Sequence, residues 1–390
     1  MNTQYITPEE FKDIAPIDDC EFKQRMSQLV KEPGFEHAIK YAMPDVDFPS
    51  FAEALCQIES KDEFQKKVVV QFLEMLIHKT TNGVSISGVE NVDKTKCYTF
   101  ITNHRDIVLD ASFLNILLFR NGLRTTEIAI GDNLLVYEWI SDLVKLNKSF
   151  IVKRNLRMTK AFEAAKQLSA YIKYAVTAKH ESVWIAQREG RCKDSNDKTQ
   201  ESLIKMLGLA GGKSLLPHIK SLNLLPVSIS YEYDPNDYLK AREFLMRRNN
   251  PDFKKSQRDD LLSMETGLMQ YKGHVHFTIG QPINPQLEDM PENTDKAEVV
   301  KQVCNAVDNT IYKGYRIYPI NYIALDKLEG TSLYADKYTA DEVVAFEKYI
   351  ENQLAKVTDV PNMTEEDMQY MRTMMLTMYS NPLKNQIAIN

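Results

Sequence analysis

The chain has 390 residues, 43 % of them hydrophobic and 26 % charged, ordinary values for a soluble globular protein with one large core or two. Its net charge of −6 offers no basic footprint for a nucleic acid. Cys20, Cys56, Cys97, Cys192 and Cys304 lie far apart with no C-x-x-C pair, a pattern expected of reduced thiols in a cytoplasmic protein and not of a disulfide framework.

Residues 1–85 read as helical. In "TPEEF", Thr7 is expected as N-cap, Pro8 at the first helical position and Glu10 as the closing member of a capping box. The opening "MNTQYITPEEFKD" has neither a basic n-region nor an apolar h-region, so no signal peptide is expected. No uncharged apolar run approaches the ~20 residues that a spanning helix needs. "KDEFQKKVVVQFLEMLIHKTTNG" predicts a further helix, stopped by Asn82 and Gly83.

From about residue 85 short β-rich runs appear, at 97–103, 127–131, 149–153, 182–187, 224–233 and 274–280. Helical patterns alternate with several of them. The clearest is 157–179, where Met158, Phe162, Ala165, Leu168, Ile172 and Ala175 recur at steps of three and four. Near-continuous apolar strands between amphipathic helices predict an α/β domain over 86–288, with a largely parallel central sheet covered by helices. A helical N-terminal region, 1–85, and a helical C-terminal region, 289–390, complete the expected organisation. Thr339 with Glu342 forms a capping box for one C-terminal helix, and a Met-rich one is expected to start at Thr364 and stop near Pro382. That helix is a candidate for membrane docking, with packing against the N-terminal helices as the blander account. "MRRNNPDFKKSQRDD" (246–260) is expected to be a mobile basic surface loop.

The chemistry-bearing residues begin with "ITNHRDIVLDASF" (101–113). A strand delivers His104 to its C-terminal end, the edge where open α/β sheets place reactive groups. Asp106 stands where an N-cap is expected, and Asp110 follows one helical turn later. Either carboxylate could orient the imidazole so that one nitrogen stays protonated and the other accepts a proton. The alternative is an exposed histidine beside a capping aspartate. "HRD" does not make a kinase, because the glycine-rich phosphate loop, the strand lysine and the Asp-Phe-Gly metal site are missing. "GLAGGKS" (208–214) leaves only three residues between Gly208 and Gly212, one short of a P-loop, and reads as a helix end and turn.

Three more segments belong with His104. "KLNKSFIVKRNLRMTK" (145–160) carries six Lys or Arg and no acidic residue, and its strand ends in Lys153 and Arg154, a pair suited to an anion. "WIAQREGRCKDSND" (184–197) runs from an apolar strand into Arg188, Glu189, Gly190, Arg191 and Lys193, a cationic cradle with a glycine for close backbone approach. "LLPVSISYEY" (224–233) is an apolar strand expected to wall an acyl pocket. His274 and His276 alternate along a strand and read as structural, and no metal is expected.

In order and separation, "NHRDIVLD", "SFIVKRN", "REGRCK" and "LPVSISYEY" resemble the four blocks of the glycerolipid acyltransferase superfamily, over about residues 85 to 285. The last block is more similar to the glycerol-3-phosphate branch. Two spacings depart from the family pattern: five residues separate His104 from Asp110 where the family has four, and Arg191 follows Gly190 directly. The resemblance implies acyl transfer from a thioester, acyl-CoA or acyl-acyl-carrier protein as co-substrate, to a hydroxyl of a phosphate-bearing acceptor. His104 would be the general base with Asp110 in support and Asp106 as its competitor. Lys153, Arg154, Arg188, Glu189, Gly190, Arg191 and Lys193 would bind substrate, without cofactor or metal. Such chemistry further implies a cytoplasmic protein in peripheral contact with the inner face of a membrane. The rival classes are a phosphoryl-transfer enzyme and a non-catalytic lipid or acyl-carrier binding protein.

Overall fold

The computed structural model describes residues 6–212 and 214–389; residues 1–5, part of the stretch behind the signal-peptide expectation, Lys213 and Asn390 lie outside it. Five helices, α1 (Asp19–Leu29), α2 (Pro33–Ala42), α3 (Phe48–Cys56), α4 (Lys61–Phe64) and α5 (Val70–Thr80), precede the sheet, with a π-helical turn, Gln65–Val69, joining the last two. Strands β1 (Gly83–Ser87) and β2 (Thr99–Thr102) lead into α6 (Leu109–Arg120), and β3 (Glu127–Gly131) into α7 (Glu138–Leu146). Next come β4 (Ser149–Val152), α8 (Met158–Thr177), β5 (Val183–Ala186), α9 (Glu201–Leu207), α10 (Leu215–Ser221) and β6 (Leu224–Tyr231). Two helices, α11 (Asp237–Asn249) and α12 (Gln257–Met269), separate β6 from β7 (His274–Ile279). The chain finishes in α13 (Lys296–Gly314), α14 (Pro319–Glu329), α15 (Ala340–Leu354) and α16 (Glu365–Ala388).

The seven strands are ordered β1-β7-β6-β2-β5-β3-β4, and every pairing is parallel except β6 with β7. Strand alternation sorts the core into two layers. Ile101, Ile185 and Leu224 face α8, α9, α10 and α13, whereas Phe100, Trp184 and Leu225 face α5 and α6. All eight residues of β6 are buried, as a central, doubly covered strand requires. This is the largely parallel α/β fold that the sequence predicts.

Several expectations are corrected. The sheet begins at Gly83, inside the region read as helical, and β1 is held to β7 by His276, whose ring nitrogens meet the Ser85 and Ser87 hydroxyls at 2.7 and 3.0 Å. Thr7 caps nothing: its hydroxyl donates to Asp18 at 2.6 Å, and only a short 3-10 turn, Glu9–Phe11, follows. Of 246–260 only 250–256 is non-helical; the two ends are the last residues of α11 and the first of α12, the latter opened by a Ser256–Asp259 capping box. Helix α16 runs through Pro382 to Ala388, because Asn381 and Asn385 pin its last turns to the carbonyls of Asp194 and Asn196 at 2.6 and 2.9 Å. Its buried methionines Met371 and Met375 pack in a C-terminal bundle with α11, α14 and α15, not against the N-terminal helices. No helix among the described residues is long and apolar enough to cross a membrane.

Candidate active site

At the end of β2 the side chain of Asn103 bonds both ways to Ile229 of β6, donating to its carbonyl at 3.0 Å and accepting its amide at 2.7 Å. That fixes where the next residue leaves the sheet. Residues 104–108 are non-helical, and Asp106 opens α6 by accepting the amides of Val108 and Leu109, both at 2.8 Å. Asp110 then falls in the first turn of the helix, pointing back at the residues that precede it.

There the geometry is specific. His104 Nδ1 lies 2.9 Å from Asp110 Oδ2. The same oxygen accepts the amides of Arg105 and Asp106 at 2.6 and 3.0 Å, while Oδ1 accepts the Tyr231 hydroxyl at 3.0 Å. Burial, then the charge of Asp110, holds the Tyr231 phenol well above its ordinary value, so it stays a donor. Asp110 is fully buried, and the edge of the Trp184 ring packs against His104 with centroids 5.8 Å apart. With Nδ1 donating to the carboxylate, Nε2 is the basic nitrogen, and it has no partner among the described residues. The fifth intervening residue is absorbed in the turn before the helix, so the unusual spacing still brings His and Asp together.

Asp106 is the N-cap its sequence position suggested, and not the partner of His104. Besides capping α6, it accepts from Asn236 Nδ2 at 2.9 Å, and among the described residues it makes no hydrogen bond to His104. Burial and then the neighbouring Asp110 push its carboxyl upward. Gly267 of α12 makes room for it: a Cβ there would stand 1.9 Å from Asp106 Oδ2.

His104 opens onto a cleft of about 580 Å³ that is also lined by Lys153, Arg154, Arg188, Glu189, Gly190, Arg191 and Lys193. The cations divide into paired and unpaired. Lys153 is drawn away to Asp13 of the N-terminal segment, and Lys193 to Glu243 of α11 at 2.9 Å. Arg154 reaches Glu189 at 3.3 Å, although Glu189 is largely exposed. Arg188 and Arg191 form no ion pair among the described residues, and Arg191, only 9 % exposed, has a buried Nη1 with no acceptor. Gly190 has φ +67° and open space where a Cβ would be, so the backbone before Arg191 lies bare to the cleft. The Cys192 amide donates to the His104 carbonyl at 2.8 Å, tying this loop to the His turn.

The apolar wall comes from elements not expected to supply it. Ala129, Ile130, Val152, Leu156, Leu168 and Ile185 line the cleft, whereas the strand 224–231 is buried in the middle of the sheet and does not. Two contributors had no signal in the sequence. Arg105 is buried and forked onto Asp197, 92 residues away, which also accepts the Tyr315 hydroxyl. Trp184, which lines the cleft as Arg105 does not, keeps its indole Nε1 buried without an acceptor. No cluster of His, Cys, Asp or Glu among the described residues could hold a metal.

Residues 83–226 match the Acyltransferase family. A glycerol-3-phosphate acyltransferase of Ectopseudomonas mendocina is 26 % identical over 222 residues, covering 55 % of this chain and 26 % of that protein. Its counterpart in Pseudomonas entomophila is 23 % identical over 296 residues, 70 % of this chain and 34 % of its own. The chain thus spans about a quarter to a third of the length of these relatives. Among solved structures, the 1-acyl-sn-glycerophosphate (LPA) acyltransferase PlsC of Thermotoga maritima aligns over 73 % of this chain and 92 % of its own, with 11 % identity and a TM-score of 0.35, too distant to carry an argument. The matched region bears the His-Asp pair, the basic strand end and the Glu-Gly-Arg loop in one cleft, and it is similar to the Acyltransferase family.

Proposed function

We propose that the chain moves a fatty acyl group from a thioester, acyl-CoA or acyl-acyl-carrier protein, to a hydroxyl of a glycerol-3-phosphate-like or lysophospholipid acceptor. The observation that carries this reading is one cleft that joins the free Nε2 of His104, the unpaired Arg188 and Arg191, and an apolar wall.

His104 Nε2 takes the acceptor's hydroxyl proton as that oxygen attacks the thioester carbon. The tetrahedral intermediate collapses with cleavage of the C–S bond, and the imidazolium returns the proton to the departing sulfur. Asp110 holds the tautomer and stabilises the imidazolium; general-base help of this kind is worth ~10²–10⁴-fold. Arg191 and Arg188 take the acceptor's phosphate, since a guanidinium offers a fixed fork of donors and Arg191 has one idle. Glu189 orients Arg154 and does not itself contact the anion. The acyl chain lies along β3, β4, β5 and α8. No step calls for a metal or cofactor. The lipid product is delivered at a membrane surface by a peripheral protein, on the cytoplasmic side.

The test is a labelled-acyl transfer assay offering both thioester types to glycerol-3-phosphate and to lysophospholipids. Ester is expected from wild type and should fall by ~10²-fold or more in His104→Ala. Thioester binding that survives with no ester from any pair would make the chain a binding protein instead.

A further inference from the structure

Helix α8 begins at a corner. Asn155 adopts a left-handed conformation, φ 55°, and turns the chain out from the end of β4. Every residue from Asn155 to Glu163 is exposed, an unbroken stretch at the rim of the cleft. Three of them are large and apolar: Leu156 is 37 % exposed, Phe162 60 % and Met158 91 %. Met158 and Phe162 stand four residues apart, on one face of the first helical turns. Scattered apolar residues on a surface need no explanation, but three together on a projecting corner do.

Two further features say what covers it. Between the apolar side chains stand Arg157 and Lys160, neither in an ion pair among the described residues, while Lys153 and Arg154 nearby have found carboxylates. The corner also continues into the site, because Leu156 and Ala161 line the same cleft as His104. We propose that this corner docks the protein on an anionic lipid surface, with Leu156, Met158 and Phe162 entering the acyl boundary and Arg157 and Lys160 at the headgroups. Protruding apolar tips flanked by cations suit insertion into a bilayer, where side chains need depth and not a shaped partner. A flat protein interface would leave Met158 standing off it. An acyl chain leaving along Leu156 would pass directly into hydrocarbon, which rests on the acyl-transfer reading above.

The experiment is co-sedimentation with vesicles of phosphatidylcholine, alone or mixed with phosphatidylglycerol. Wild type is compared with Met158→Ser/Phe162→Ser and Arg157→Gln/Lys160→Gln, each checked for an unchanged melting temperature. The apolar double variant should lose roughly tenfold or more in affinity for the mixed vesicles. The charge variant should lose the preference for phosphatidylglycerol and the sensitivity to salt. In free solution, with a short-chain thioester and a water-soluble acceptor, both should transfer acyl groups as wild type does. Vesicle binding untouched by Met158→Ser/Phe162→Ser overturns the proposal. So does unchanged vesicle binding joined to weakened binding of purified acyl-carrier protein, which would make the corner a carrier dock. If free-solution turnover is absent even in wild type, the catalytic reading fails while the vesicle measurement still decides the corner.

Discussion

At one end of the cleft Asp110 is fully buried and accepts from four donors: the His104 ring, two backbone amides and the Tyr231 hydroxyl. At the other, Arg191 is 9 % exposed with a guanidinium nitrogen that has no acceptor. Both are buried charged groups, yet one is saturated by the protein and the other is not. A saturated carboxylate is a part already in its working position, with no reorganisation needed when charge develops on the imidazole. An idle buried donor costs stability until something accepts from it, so its retention points to a ligand. On the proposed acyl-transfer reading, the contrast separates what holds the chemistry from what waits for substrate.

Breaking the saturated end should have the largest effect. His104→Ala is expected to lower kcat by ~10²-fold or more while leaving the melting temperature close to wild type. Asp110→Asn should lose activity to a comparable degree and also lower stability, by roughly 1–3 kcal/mol, because one amide oxygen cannot serve four donors and its NH₂ would face an N–H. Kinetics and thermal melts on the two variants separate the roles. If Asp110→Asn melts and turns over like wild type, the carboxylate is not what orients His104. Gly267→Ala attacks the same end from outside, since its Cβ would drive into Asp106 Oδ2 and dislodge the cap of α6. A stability loss of about 0.5–2 kcal/mol, read as a shift of the melting temperature, is the expected outcome.

The unsaturated end should respond in the opposite way. Arg191→Gln removes an idle donor, so its melting temperature should equal or exceed that of wild type. Its KM for a phosphate-bearing acceptor should rise roughly tenfold, with little change in kcat. Phosphate added to wild type should raise the melting temperature, and this gain should vanish in the variant. A stability loss with an unchanged KM would mean that Arg191 belongs to the scaffold.

These two ends were not equally legible in the sequence. His104, the basic strand end and the Glu-Gly-Arg loop each follow a strong apolar strand, and strand ends at one edge of a parallel sheet converge, so order along the chain was enough to gather them. Which partner each charge would take was not readable. Asp13 is 140 residues from Lys153, and Asn236 is 130 from Asp106; such pairings are set by tertiary packing and leave no local period. The loop reading of 246–260 failed at both its ends because charged surface helices, stabilised by caps and ion pairs such as Arg248 with Asp367, look like loop when no apolar stripe marks them. Strand β1 was missed for a related reason: five residues of Gly, Val, Ser and Ile follow a helix stop, and only pairing with β7 gives them an identity.

The smallest expected effect comes from two groups that do not line the cleft, whose opposite signs sharpen the same distinction between a satisfied and a strained buried charge. Asp237, buried in the C-terminal bundle, accepts from Tyr349 and Tyr379 at 2.6 and 2.7 Å, yet burial raises its pKa to about 6. The native state therefore binds a proton more tightly than the unfolded chain, and Asp237 makes stability fall as pH rises from about 4 to 6. His276, between the serines of β1, has its pKa lowered to about 4 by burial and then by Arg316. Here the unfolded chain binds the proton more tightly, so stability rises over nearly the same interval, from about 4 toward 6.5. Each slope is at most about 1.4 kcal/mol per pH unit, and in wild type the two oppose one another. Denaturant unfolding across pH 4–7 should thus show a rising slope unmasked in Asp237→Asn and a falling one in His276→Gln, relative to wild type. Parallel profiles in all three proteins would mean that neither group titrates differently once the chain is folded.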